Sequence, residues 1–319
     1  MMRITDSYPG ILAMGGRFER DVWRHYAAGI APELLEKVER DSASYDFERQ
    51  VRPVLDAALA SKERLLTAHD SFLRACDGLE ERMCAVLGSA PEADVVFYFG
   101  LCNGAGWATR LSGQPAVLIG VEKVLELHWE TPEQMRALLW HELGHLWHFS
   151  LFPFTETPGT PAEKALWQLW SEGVAMYAEQ LLAGDPAHYH QNRDGWLRWC
   201  RENRARLFAE YRHRMAASAS VQDFFGDWCS FEGYSDVGYY LGCELVKFAA
   251  RGKTPAETAR IAPAEAAVLL GRSAGSTVNP ACPCDTDGCP RHGDCSACCN
   301  YHRQYAKNPQ TACGRKEHV

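Results

Sequence analysis

The residues best placed to do chemistry lie in one stretch, Trp140-His141-Glu142-Leu143-Gly144-His145-Leu146-Trp147. Residues four apart on an α-helix lie one turn above the other on the same face. His141 and His145 can therefore offer two imidazoles to one cation. Glu142, beside the first of them, can take a proton from an attacking water. This is the layout of a hydrolytic zinc site, in which a carboxylate serves as general base. Two histidines four apart also occur as satisfied members of a buried core helix. The glutamate between them, and the helix around them, favour the metal.

The elements that must hold these groups can be read on either side. Thr131-Pro132-Glu133-Gln134 is a helix start, with Thr as N-cap, Pro at the first helical position and Gln134 three residues after the cap. Met135, Leu138, Leu139, Leu143, Leu146 and Trp147 recur at helical spacing, so a helix is expected from about Pro132 to Phe149. Thr160-Pro161-Ala162-Glu163 opens a second helix with the same chemistry. It carries Glu172 among apolar neighbours, where a carboxylate must be paired or bound to a metal to tolerate burial. Glu172 is thus the expected third ligand, completing a His-His-Glu set with one open position. Glu179, two turns on, and His148, one turn past His145, are the other candidates. The small residues Gly173 and Ala175 would let the two helices approach closely. Farther on, Tyr239 or Tyr240 could donate a hydrogen bond to a developing oxyanion. Ordinary aromatic packing explains them equally well.

Ahead of the first helix the pattern changes. Ala93–Phe99, Trp107–Arg110 and Ala116–Gly120 are rich in β-formers, and Asn103-Gly104 signals a turn. A small sheet is expected, with residues 116–121 as the candidate edge along which an extended peptide could add. Residues 1–90 read as helices that pack without chemistry. Trp196–Met215 reads as a further helix, and His188, His190 and His213 as surface histidines.

At 319 residues the chain can bury a sizeable core, and its net charge of −8 argues against a nucleic-acid partner. No apolar run suggests a membrane span or a signal peptide, so a reducing, cytoplasmic setting is expected. Cys76, Cys84, Cys102, Cys200, Cys229 and Cys243 then read as small buried thiols. After a linker of small residues, Gly271–Asn279, the composition shifts again. Cys282, Cys284, Cys289, His292, Cys295, Cys298, Cys299, His302 and Cys313 crowd into a stretch with almost no aliphatic core. Structural zinc, one ion or two, is the first expectation there, since metal supplies folding energy to such small units. An iron–sulfur cluster, redox thiols or disulfides are the alternatives. The spacing fits no standard finger.

His141-Glu142-Leu143-Gly144-His145, followed by Trp170-Ser171-Glu172-Gly173-Val174-Ala175-Met176-Tyr177-Ala178-Glu179, resembles the gluzincin branch of the zincin metallopeptidases. The resemblance covers roughly residues 95–250 and is strongest in the two ligand helices. It implies an active-site helix beneath a small sheet. It also implies His141, His145 and Glu172 as zinc ligands and Glu142 as general base. The Gly-x-Met-Glu-Asn signature of aminopeptidases does not precede the helix, so the substrate stays open. The tail, in turn, resembles a short cysteine-rich module found appended to other proteins.

The expectation is thus an α+β, mostly helical chain. Residues 1–90 form a helical region, 91–272 a zincin-like core and 276–319 a cysteine-rich module. The expected function is hydrolysis of a peptide or protein substrate. The competing readings are a metal- or partner-binding protein without activity, and a thiol redox sensor, both working through the tail.

Overall fold

The computed structural model describes residues 2–152 and 159–273. Among the described residues the chain is mostly helical with one small sheet, as expected for the α+β class. The module 276–319, with Cys282, Cys284, Cys289, His292, Cys295, Cys298, Cys299, His302 and Cys313, lies outside the described residues. The chain divides into two compact units, Met1–Phe154 with Ala175–His190, and Thr155–Val174 with Gln191–Val319.

The sheet belongs to the first unit. Its strands are β1 (Arg3–Asp6), β2 (Asp94–Tyr98), β3 (Gly106–Leu111) and β4 (Gln114–Gly120), in the order β1-β2-β4-β3. The β1–β2 and β2–β4 pairs are parallel and the β3–β4 pair antiparallel. β3 and β4 are joined by Ser112 and Gly113, both at positive φ (50° and 77°). That backbone matches the twist of the flanking strands in a two-residue hairpin.

Two expectations need correction here. Residues 3–6 form a strand, although the N-terminal ninety read as helical. Four residues with little burial leave no alternation to detect. The stretch 116–121, read as the free edge, holds β4, which is flanked on both sides by β2 and β3. The physical reason is visible in composition. Ala-Val-Leu-Ile is apolar on both faces and is buried throughout, the signature of an internal strand. β3, Gly-Trp-Ala-Thr-Arg-Leu, is mostly half-buried and forms the edge.

The motif helix runs from Pro132 to Leu151 and starts where expected, with the Thr131 hydroxyl accepting the Gln134 backbone N–H at 3.3 Å. Every residue from Ala137 to His148 is buried, as befits a helix enclosed on all sides. It packs against β3, β4 and the helix Lys62–Cys76.

The ligand helix, Pro161–Ala183, opens with a reciprocal cap. Glu163 N–H donates to the Thr160 hydroxyl (3.2 Å) and Thr160 N–H donates to the Glu163 carboxylate (2.9 Å). Its later part meets the motif helix at Gly144. A Cβ there would lie 3.1 Å from Ala175 Cα and 3.3 Å from Ala178 Cβ, so the backbones approach to a distance only glycine tolerates without movement.

In the second unit the expected helix over 196–215 is broken at Asn203 into Trp196–Glu202 and Arg204–Ala216. Gly173 was expected to face the motif helix. It faces Gly242 of the helix Val237–Ala249 instead, where an added Cβ would stand 2.9 Å from Gly242 Cα.

Candidate metal centre

The motif helix delivers His141 and His145 side by side, with ring centroids 4.9 Å apart and planes nearly perpendicular. Both are buried, 3% and 9% exposed. Glu172 projects from the ligand helix one turn before Ala175, on the same continuous element that touches Gly144. One donor atom from each of His141, His145 and Glu172 lies within 4.8 Å of the other two. Two buried imidazoles and a half-buried carboxylate, this close, match the donor set that zinc takes in hydrolytic sites. The residues therefore fit the group that the motif implies.

Glu142 reaches the edge of the sheet. Its Oε2 accepts the backbone N–H of Ala108 at 2.8 Å. Its side chain also crosses Gly106 so closely that a Cβ there would stand 2.6 Å from Glu142 Cγ. Glycine at 106 thus makes room for the carboxylate over the edge strand. Gly120 N–H donates to Ala105 C=O at 2.9 Å, and the β3–β4 register pairs Ala108 with Val117. In an antiparallel pair the bonded positions alternate. Residues 105, 107 and 109 therefore turn their backbone groups toward β4, while 106, 108 and 110 turn theirs outward.

Behind His141 lies a second cluster. Glu179, fully buried, has His190 Nδ1 at 2.8 Å and His141 Nδ1 at 3.4 Å from Oε2, and His188 Nε2 at 2.9 Å from Oε1. Burial alone would push this carboxyl up. The imidazoles, His190 first, reverse that and hold it well below the ordinary carboxylate range. His188 is raised in turn, chiefly through its hydrogen bond to Glu179. A carboxylate behind a ligating histidine fixes its tautomer and ring orientation.

Sequence reasoning placed His188 and His190 on the surface, and the structure corrects this: the His190 side chain is 6% exposed and that of His188 29%. The available signal was His188-Tyr189-His190, two imidazoles one residue apart, shortly after a glutamate in an apolar helix. His213 is exposed, as expected.

The remaining candidates are more ordinary. His148 is fully buried beside Phe149, ring centroids 5.6 Å apart, and joins neither His/Glu group among the described residues. Tyr239 is half-buried and meets Phe225 edge-on at 5.7 Å, while Tyr240 is buried and meets Trp196 at 6.4 Å. Of the six described cysteines, Cys200 and Cys243 are buried and Cys84 is exposed. No protein-family model, curated protein or solved structure matches this chain.

Proposed function

We propose that the chain is a zinc-dependent peptidase with a zincin-like core. The observation that carries the reading is the convergence of donor atoms from His141, His145 and Glu172 within 4.8 Å, with Glu142 next in sequence to the first of them. Zinc, when bound there, supplies a Lewis acid that polarises a carbonyl and acidifies water. Glu142 takes a proton from the attacking water and passes it to the leaving amine. The outward backbone groups of β3 at Gly106 and Arg110, with the carbonyl of Ala108 between them, offer an extended peptide a strand to pair with. Glu179 holds His141 in orientation. Tyr239 is the proposed donor to the developing oxyanion.

Glu142→Gln separates chemistry from binding. The variant should retain the zinc content of the unaltered protein and lose peptide hydrolysis by about a hundredfold or more. Unchanged turnover in the zinc-loaded variant removes Glu142 from the mechanism and, with it, this reading.

A further inference from the structure

Glu179 is served by more imidazole than the orientation of one ligand requires. His141, Glu179 and His190 form a group of their own, with one donor atom from each within 4.8 Å of the others. The separations within it differ in kind. His190 Nδ1 stands 2.8 Å from Glu179 Oε2, as in a charge-assisted hydrogen bond. His141 Nδ1 stands 3.4 Å from the same oxygen, longer than the roughly 2.7–2.9 Å of such a bond. Bonds of about 2.0–2.2 Å around a tetrahedral ion set neighbouring donors about 3.4 Å apart. The other oxygen, Oε1, lies 2.9 Å from His188 Nε2, which holds it from the side away from His190 Nδ1 and His141 Nδ1. Oε1 and His188 Nε2 are both buried. The His190 ring is also fixed from outside, edge-on to Trp129 at 5.2 Å. An imidazole-rich set with one carboxylate and no thiolate suits a late first-row divalent ion.

We propose that Glu179, His190 and His141 form a second divalent-cation site of the zinc class, adjoining the first and sharing His141 with it. His188 anchors the second oxygen of Glu179 and so sets the carboxylate's angle. When both sites hold an ion, His141 would serve each through one of its two nitrogens, and its ring proton, together with the proton that His190 Nδ1 holds toward Glu179, would pass to solvent. The proposal goes beyond the peptidase reading and does not need the first site to be catalytic.

The test is metal content and position in the full chain. Unaltered protein, His190→Ala, Glu179→Gln and Glu172→Gln are each equilibrated with zinc, dialysed and assayed by atomic emission, with circular dichroism to confirm folding. His190→Ala and Glu179→Gln should each hold one zinc fewer than the unaltered chain, and Glu172→Gln should lose a different one. A Glu172→Gln protein that keeps all its zinc, beside a His190→Ala protein that loses one, sinks the hydrolytic site and leaves this one standing. His190→Ala and Glu179→Gln that both keep all the zinc overturn the proposal. Anomalous diffraction at the zinc edge from crystals of the unaltered chain gives a reading that needs no variant. A peak within bonding distance of Glu179 and His190 supports the second site, and a peak confined to His145 and Glu172, or none at all, rejects it.

Discussion

Glu122 shows how much one buried group can set. It is fully buried, and its carboxyl accepts the backbone N–H groups of Gly100 (2.8 Å) and Cys102 (3.1 Å) in the turn that leads into β3. Burial, against these bonds, pushes it from 4.5 up to about 7. A carboxyl raised in the fold favours the protonated state there, so its contribution is fully present below about 4.5 and lost as pH climbs through about 7. The swing is on the order of 3 kcal/mol. Glu122→Gln, neutral at every pH, should flatten the fall in melting temperature between acid and mildly alkaline buffer. Melting curves that decline in parallel for the two proteins would show that Glu122 does not titrate in this window.

At this same scale the sequence was uneven. The pairing of His141 with His145 was legible because helical spacing alone brings them together, and Glu172 because a carboxylate in an apolar helix demands a partner. The approach of His188 and His190 to Glu179 was not, since it depends on a return of the chain that no local pattern encodes.

Among the elements, the crossing of the two ligand helices at Gly144 invites a test with two opposite signs. Gly29, in the helix Arg20–Ile30, has nothing within 4 Å of an added Cβ. Gly29→Ala should therefore stabilise by about 0.5–1 kcal/mol through helix propensity. Gly144→Ala gains the same propensity but must move Ala175, and overpacking of this kind costs about 1–3 kcal/mol. It should lower stability and weaken zinc retention together, as read by denaturant titration and by competition with a chelator. Stabilisation by Gly144→Ala would mean that the helices have room to part. Helix starts were legible here because caps are local chemistry: Thr131 and Thr160 both act as read. Strand order was not. Which of two hairpin strands lies outside is decided by what packs on each face, and only the doubly apolar run of β4 hinted at it.

For the molecule as a whole, a metal that binds the folded chain alone must add to its stability by mass action. At free zinc one hundred times the dissociation constant the gain is about 2.7 kcal/mol. Zinc-loaded protein should melt higher than protein stripped by a chelator, and re-addition should restore the difference. Identical melting with and without the ion would separate the His/Glu cluster from metal. Among the described residues no helix is long and apolar enough to cross a membrane.

The bond from Ala108 to Glu142 carries a consequence for anything that docks along β3. A backbone amide can serve one acceptor well at a time. Any visiting chain laid against that margin therefore meets a ladder with its middle rung already taken, and must either skip it or prise the carboxylate loose.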